Sequence, residues 1–129
     1  RPAALLDYLS DCRDLVLDEL RSMVSRETSC RRILYDRVLE YPERRAKALR
    51  PAICVATCRA LGGRIEAALP SAVALELYHN AFLIHDDVED GSERRRDQPT
   101  LHGMYGVPIA VNVGDAMLAL AFGQPARWG

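Results

Sequence analysis

Three aspartates near the middle of the chain are the residues with the clearest capacity for chemistry. Asp86, Asp87 and Asp90 stand at spacings of three and four, which on a helix brings their carboxylates to one face. At a helix end before Gly91 this is unfavourable, because the carboxylates repel and the helix dipole disfavours each by ~0.3–1 kcal/mol. Mg²⁺ reverses the balance, since it takes carboxylate oxygens together with water and phosphate oxygens. The pattern indicates a magnesium site; the alternative is an acidic helix end.

A calcium loop of the EF-hand type is a second explanation of the same residues. Asp86, Asp90 and Gly91 fit the first, fifth and sixth positions of such a loop. Val88 occupies the third position without a ligand oxygen, and Asp97 stands where the loop needs a bidentate glutamate. The apolar helical pattern also runs through the first five positions, so the calcium interpretation is weak.

Two groups of basic residues flank the aspartates in the sequence. Arg94, Arg95 and Arg96 follow them within one loop, and Lys47 and Arg50 belong to a second cluster upstream. Arginine binds phosphate oxygens bidentately, and Mg²⁺ binds the same oxygens, so acids and bases together predict a phosphate or diphosphate site. The alternatives are surface ion pairing for the arginines and a solvated face for the upstream cluster.

Composition limits the classes of protein that remain. With 17 Lys+Arg against 18 Asp+Glu the formal net charge is −1, which excludes a general electrostatic attraction for nucleic acid. No uninterrupted apolar run approaches the ~18 residues of a membrane span. The four cysteines lack metal-binding spacing, which favours reduced thiols and a cytoplasmic protein. At 129 residues the sequence predicts one domain.

Glycine and proline divide the chain into the elements that must position these residues. Apolar residues recur at spacings of three and four, and no alternating strand pattern is present, so the sequence predicts an all-α fold. The predicted helices occupy residues 3–41, with a break near Thr28, and residues 51–61, 70–90 and 107–122. The last is apolar on every side, which predicts burial among other helices or in an oligomer.

Taken in order, the motifs resemble those of the trans-isoprenyl diphosphate synthases, or polyprenyl synthetases, over roughly residues 42–122. Residues 86–90 are similar to D-D-x-x-D, residues 95–100 to R-R-G-x-P-T, residues 46–51 to G-K-x-x-R-P and residues 114–118 to a G-D-A stretch. His79 occupies the place of a histidine seven residues before the first aspartate. Ala46 and Asp97 replace family glycines, and the chain has no second D-D-x-x-D.

The resemblance implies an antiparallel helical bundle of about five helices, the N-terminal half of the isoprenyl synthase fold, with residues 1–129 as a single partial domain. It implies a Mg²⁺-dependent short-chain prenyltransferase that condenses an allylic diphosphate with isopentenyl diphosphate, of the farnesyl or geranylgeranyl type. It also implies a homodimer or a partner chain. The missing second motif favours an alternative, a non-catalytic diphosphate-binding or regulatory subunit.

The same resemblance implies a role for each site residue. The residues expected to hold Mg²⁺ against the allylic diphosphate are Asp86, Asp87 and Asp90. Arg95 is expected to hold that diphosphate and to act in catalysis with the aspartates. The residues expected to hold the diphosphate of isopentenyl diphosphate are Lys47, Arg50, His79 and Arg96. Ala81 and Phe82 lie at the positions that limit product length in the family; the alternative for Phe82 is a simple core residue.

Overall fold

The computed structural model describes residues 2–26 and 31–124, and the all-α prediction is confirmed there. The elements in chain order are α1 (Pro2–Arg26), a π-helical turn (Arg31–Tyr35), α2 (Asp36–Val38), α3 (Glu40–Glu43), α4 (Leu49–Ala60), α5 (Ile65–Asp90), β1 (Arg94–Arg95), β2 (Gln98–Pro99), α6 (Leu101–Tyr105) and α7 (Val107–Gly123). The predicted helix break near Thr28 lies outside the described residues. Cys12 is buried, Cys54 and Cys58 are half-buried, and these three thiols are free; Cys30 is not among the described residues.

The long helix α5 lies at the centre of the fold, between α4 and α7. Its fully buried apolar residues recur at helical spacing and include Ala72, Val73, Leu77, Ala81 and Ile84. By length and composition alone α5 would suffice to cross a membrane, although the sequence holds no uninterrupted apolar run of that length. The core helix of a bundle has the same composition, because it is covered on more than one face.

Both ends of α5 follow from local chemistry, although its start differs from the prediction. The helix begins at Ile65 rather than at Pro70, which lies inside it. Pro70 removes one hydrogen bond to the carbonyl of Glu66, in the exposed first turns. Burial of Ala68 and packing of Leu69 favour helix before the proline. The helix ends as predicted at Gly91, which has the left-handed φ of 64°.

The loop after α5 contains a small hairpin that the sequence pattern did not predict. Arg94 pairs with Pro99 and Arg95 with Gln98 in antiparallel register. The connecting residues Arg96 and Asp97 have φ of 53° and 64°. Two positive φ angles are those of a type I′ turn, which matches the twist of the strands. Arg-Asp lacks the asparagine and glycine that normally announce this turn, which is why the strands were missed.

The last helix, α7, buries one face rather than its whole surface. Ala110, Val113 and Met117 are fully buried against the rest of the fold. Val107 is 47% exposed and Phe122 is 71% exposed. Apolar residues at both ends of α7 therefore remain on the surface of this chain. That further helices or an oligomer cover them stays a prediction.

Candidate functional site

The three aspartates at the end of α5 do not share one environment. Asp86 and Asp90 are exposed, whereas Asp87 is fully buried. Each residue turns the helix by ~100°, so position 90 lies between positions 86 and 87 around the helix axis, and position 87 is on the side that packs against the rest of the fold. This corrects the expectation of one shared carboxylate face. Among the described residues, Asp86 and Asp90 make no hydrogen bond or ion pair through their side chains.

Asp87 is held by an arginine and a tyrosine. Arg95 donates from Nη2 to Asp87 Oδ1 at 2.6 Å and from Nε to both carboxylate oxygens at 3.1 and 3.2 Å. The Tyr41 hydroxyl donates to Asp87 Oδ2 at 2.6 Å. Burial, and then the hydrogen bond to Asp87, raise the pKa of Tyr41 to about 12. The hydrogen bond to Asp87 likewise raises the pKa of Arg95. The result is a buried carboxylate with a matched cation and a neutral donor.

Tyr41 also joins the segments around this carboxylate. Its hydroxyl accepts a hydrogen bond from the backbone N–H of Leu101 at 3.0 Å. Arg96 donates to the Tyr41 carbonyl at 2.5 Å. The buried Arg44 lies 4.6 Å over the tyrosine ring and donates to the Arg95 carbonyl at 3.0 Å. Tyr41 and Arg44 were not predicted as site residues, because nothing in their local sequence points to Asp87.

A second cluster forms a cation-lined pocket of about 230 Å³. It brings together all four residues expected to bind isopentenyl diphosphate, which are Lys47, Arg50, His79 and Arg96. Ala48, which has the left-handed φ of 51°, separates Lys47 from the first turn of α4, where Arg50 lies. Ala46 has no positive φ, so its replacement of a glycine adds no backbone strain.

The contacts inside the pocket tune its charge. Arg50 Nη1 lies 3.3 Å from His79 Nε2. Burial, followed by the charge of Arg50, lowers the pKa of His79. Glu76 is 6% exposed and also lines the pocket, and its Oε1 accepts from Asn80 at 3.0 Å. Glu76 was not predicted as a site residue, although its position three residues before His79 places it on the same side of α5.

Comparison with known proteins identifies the family. The polyprenyl synthetase family profile matches residues 31–127. The chain belongs to the polyprenyl synthetase family. It is 40% identical over 120 residues, 92% of this chain, to a geranylgeranyl diphosphate synthase of Cyanophora paradoxa. It is 44% identical over 78 residues to a heterodimeric geranylgeranyl pyrophosphate synthase large subunit of Arabidopsis thaliana, covering 59% of this chain and 21% of the relative.

Solved structures agree with the sequence comparison. A geranylgeranyl pyrophosphate synthetase from Pyrococcus horikoshii superposes with a TM-score of 0.88 at 33% identity, covering 97% of this chain and 38% of that one. The chain likewise spans 39% of the length of the Cyanophora relative. The isoprenyl synthase type of helical fold is confirmed for the part of the family's length that this chain represents.

The two residues expected to limit product length lie in different surroundings. Ala81 is fully buried, while Phe82 is 47% exposed. The Phe82 ring meets the edge of Tyr78 at a centroid distance of 4.8 Å, and Tyr78 meets Phe122 at 6.1 Å. Phe82 is therefore part of a partly open aromatic cluster rather than a closed core.

The G-D-A stretch of this chain lies against the residue before the first aspartate. A Cβ on Gly114 would stand 2.3 Å from His85 Nε2. His85 Nε2 lies 3.3 Å from the Val111 carbonyl and 3.4 Å from Asp115 Oδ1. A side chain at position 114 would require the His85 ring to move, so glycine allows α7 to pack closely against the ring in its present position.

Proposed function

We propose that the protein is a Mg²⁺-dependent short-chain prenyltransferase that condenses an allylic diphosphate with isopentenyl diphosphate. The observation that carries the proposal is the placement of two diphosphate-compatible sites on one helix. His79 contributes to the cationic pocket and Asp86 to the exposed carboxylate pair, seven residues later. Seven residues are two turns, or ~10 Å along the axis, which suits two substrates that react with each other.

The cationic pocket is the proposed site for the diphosphate of isopentenyl diphosphate. Lys47, Arg50 and Arg96 supply the positive charge, and His79 adds a ring nitrogen beside Arg50. An arginine matches two phosphate oxygens with two parallel hydrogen bonds, whereas lysine acts as a compact point charge. Their role is to bind this substrate and to orient its double bond toward the second site.

Asp86 and Asp90 are the proposed ligands of Mg²⁺. Their carboxylates are exposed and free of ion pairs with the described residues, and oxygen donors of this kind suit Mg²⁺. Within residues 2–26 and 31–124, no three acidic, histidine or cysteine side chains converge as a complete metal site. Oxygens of the allylic diphosphate would supply further ligands. When bound, the metal stabilises the charge that develops on the departing diphosphate.

The proposed product is of the farnesyl or geranylgeranyl type. Phe82 precedes Asp86 by one turn and its ring is partly exposed, which supports a role in contacting the growing hydrocarbon tail. The small Ala81 leaves the neighbouring position without bulk. Two of the relatives are named geranylgeranyl synthases of the same family, which agrees with a tail of intermediate length.

A non-catalytic or regulatory subunit is the second candidate. One relative is named as the large subunit of a heterodimeric synthase. Such a subunit would bind diphosphate through the cationic pocket and pair with a second chain. The two ends of α7, where Val107 and Phe122 are exposed, are a candidate surface for a second copy or a partner.

Incubation of the full natural protein with radiolabelled isopentenyl diphosphate, an allylic diphosphate and Mg²⁺ separates the two candidates. The enzyme is expected to form an elongated product, and Asp86→Asn is expected to reduce its formation at least a hundredfold. Asp18→Ala, an exposed carboxylate on α1, is the matched control and leaves activity unchanged. Pyrophosphate binding without elongation would favour the subunit, and absence of both would contradict the proposal.

A further inference from the structure

We infer that the thiols of Cys54 and Cys58 form a binding site for a soft monovalent metal ion, Cu(I). The two residues are four apart within α4, so their side chains lie on one face of the helix. Both line the same groove between α4 and α5, which has a volume of about 720 Å³. Of the residues assigned to the proposed substrate sites, this groove shares only Arg50. The thiol pair is therefore a second centre, separate from the prenyltransferase chemistry.

Each sulfur faces a backbone carbonyl near the start of α5. The Cys58 thiol donates to the Arg64 carbonyl at 3.5 Å, and Cys54 Sγ lies 4.0 Å from the Ala68 carbonyl. Positions 64 and 68 are also about one turn apart, so the two sulfurs follow each other along the same part of α5. Gly63 leaves the space that Cys58 Sγ occupies, because a Cβ at position 63 would collide with this atom. The turn after α4 and the start of α5 together hold both thiols in the groove.

The two thiols also interact electrostatically. Burial, followed by the charge of Cys58, raises the pKa of Cys54. A thiolate at one position therefore disfavours a thiolate at the other unless a cation lies between them. Cu(I) supplies that positive charge. Two S–H bonds are replaced by two Cu–S bonds, two protons are released to water, and no electron is transferred.

The remaining lining of the groove selects against harder metals. Besides Arg50 and the hydroxyls of Thr57 and Ser71 it is apolar, and the described lining includes no carboxylate or imidazole. Mg²⁺ requires oxygen ligands, and structural Zn²⁺ takes four strong ligands in a tetrahedron. Cu(I) prefers thiolates and accepts two of them in a linear arrangement. Ile53 and Leu61, which also line the groove, are exposed, so an ion can enter from solvent.

Direct oxidation of the pair to a disulfide is the competing chemistry. A disulfide needs Cβ atoms ~3.5–4.5 Å apart, whereas residues four apart on a helix have Cβ atoms ~5–6 Å apart. Because α4 runs without interruption through Cys54 and Cys58, a disulfide would have to distort the helix. An ion placed between the sulfurs spans the wider separation and leaves the helix intact.

Anaerobic titration of Cu(I) against a chromophoric Cu(I) chelator, in the full natural protein and its variants, tests the inference. We expect Cys54→Ala and Cys58→Ala each to weaken the binding of one Cu(I) per chain at least about a hundredfold, since loss of an outer-shell partner alone costs ~10–100-fold. Cys12→Ala replaces a buried cysteine outside the groove and is the matched control, with binding expected to be unchanged. Calorimetry in buffers of different ionisation enthalpy is expected to show that this Cu(I) displaces two protons.

Three results would overturn the inference. Equal Cu(I) affinity in Cys58→Ala and in the unaltered protein would show that the pair does not hold the ion. An equal loss in Cys12→Ala would indicate unspecific binding to thiols. A disulfide between Cys54 and Cys58 formed in air, detected by mass spectrometry, would make the pair a redox centre instead. If circular dichroism shows that Cys58→Ala does not fold, Cys58→Ser keeps the side-chain size and gives the same comparison.

Discussion

Replacing Tyr41 by phenylalanine isolates the energetic value of the buried assembly around Asp87. The change removes a 2.6 Å hydrogen bond to a buried carboxylate, which is worth ~1.5–3 kcal/mol for a charged acceptor. It also leaves the Leu101 N–H, now bonded at 3.0 Å, without its partner, at a further ~1–3 kcal/mol. The ring itself stays fully buried. Because the two losses share one atom and are not additive, we expect a decrease of about 3 kcal/mol in the free energy of unfolding.

Guanidinium unfolding followed by circular dichroism measures this difference, with Tyr105→Phe as a matched control. The Tyr105 hydroxyl also donates to a carboxylate at 2.6 Å, that of Glu40, but the pair is only part-buried. Its loss is expected to decrease the free energy of unfolding by less than about 1 kcal/mol. Equal losses in the two variants would refute the argument, since burial and the second hydrogen bond would then contribute nothing.

Three further predictions follow from other contacts. Gly114→Ala places a Cβ 2.3 Å from His85 Nε2 and is expected to decrease the free energy of unfolding by ~1–3 kcal/mol; in a His85→Ala background it should stabilise α7 instead, and equal losses in both backgrounds would exclude the clash. Phe82→Ala should lengthen the product. It should decrease the free energy of unfolding by less than the ~3–5 kcal/mol of a core phenylalanine, because the ring is 47% exposed. An unchanged product length by chromatography would show that Phe82 does not limit elongation. Burial lowers the pKa of His79, so the free protein keeps this ring neutral and loses stability as the pH falls through the ordinary value of 6.5. A bound diphosphate favours the protonated ring, so pyrophosphate binding should take up a proton near neutral pH, and His79→Gln should abolish that uptake in calorimetry with different buffers.

The helices could be predicted because their signals are local. Apolar spacing and the glycines at 62 and 91 gave the ends of α4 and α5, where Gly62 and Gly91 have φ of 82° and 64°. The start of α5 could not be predicted, because burial of Ala68 outweighs the usual exclusion of proline from a helix interior. The hairpin could not be predicted either, since Arg96 and Asp97 are unusual residues for left-handed backbone.

Only the site residues that belong to recognisable sequence motifs could be predicted. Lys47, Arg50, His79 and Arg96 were grouped by resemblance, and the structure brings all four to one pocket. Tyr41 was missed because its partner Asp87 lies 46 residues later. The residue spacing within α3 or α5 does not indicate that Tyr41 and Asp87 are in contact. Their contact depends on how α3, the hairpin and α6 pack together. Long-range polar contacts of this kind are decided by packing rather than by local sequence.

The charges at the end of α5 lead to a prediction of how Mg²⁺ would bind there. Arg95 compensates Asp87 in the buried pair, at 2.6 Å, so the negative charge that faces solvent comes from Asp86, Glu89 and Asp90. Two carboxylates one turn apart supply only a minority of the six ligands that Mg²⁺ requires. We therefore expect Mg²⁺ alone to bind weakly, and to bind much more tightly with pyrophosphate, whose oxygens complete the shell while Arg95 contacts the same anion. Calorimetry measures this coupling when Mg²⁺ is titrated alone, pyrophosphate is titrated in the presence of a chelator, and both are titrated together. Equal pyrophosphate affinity with and without Mg²⁺ would contradict the assignment of a metal to this site.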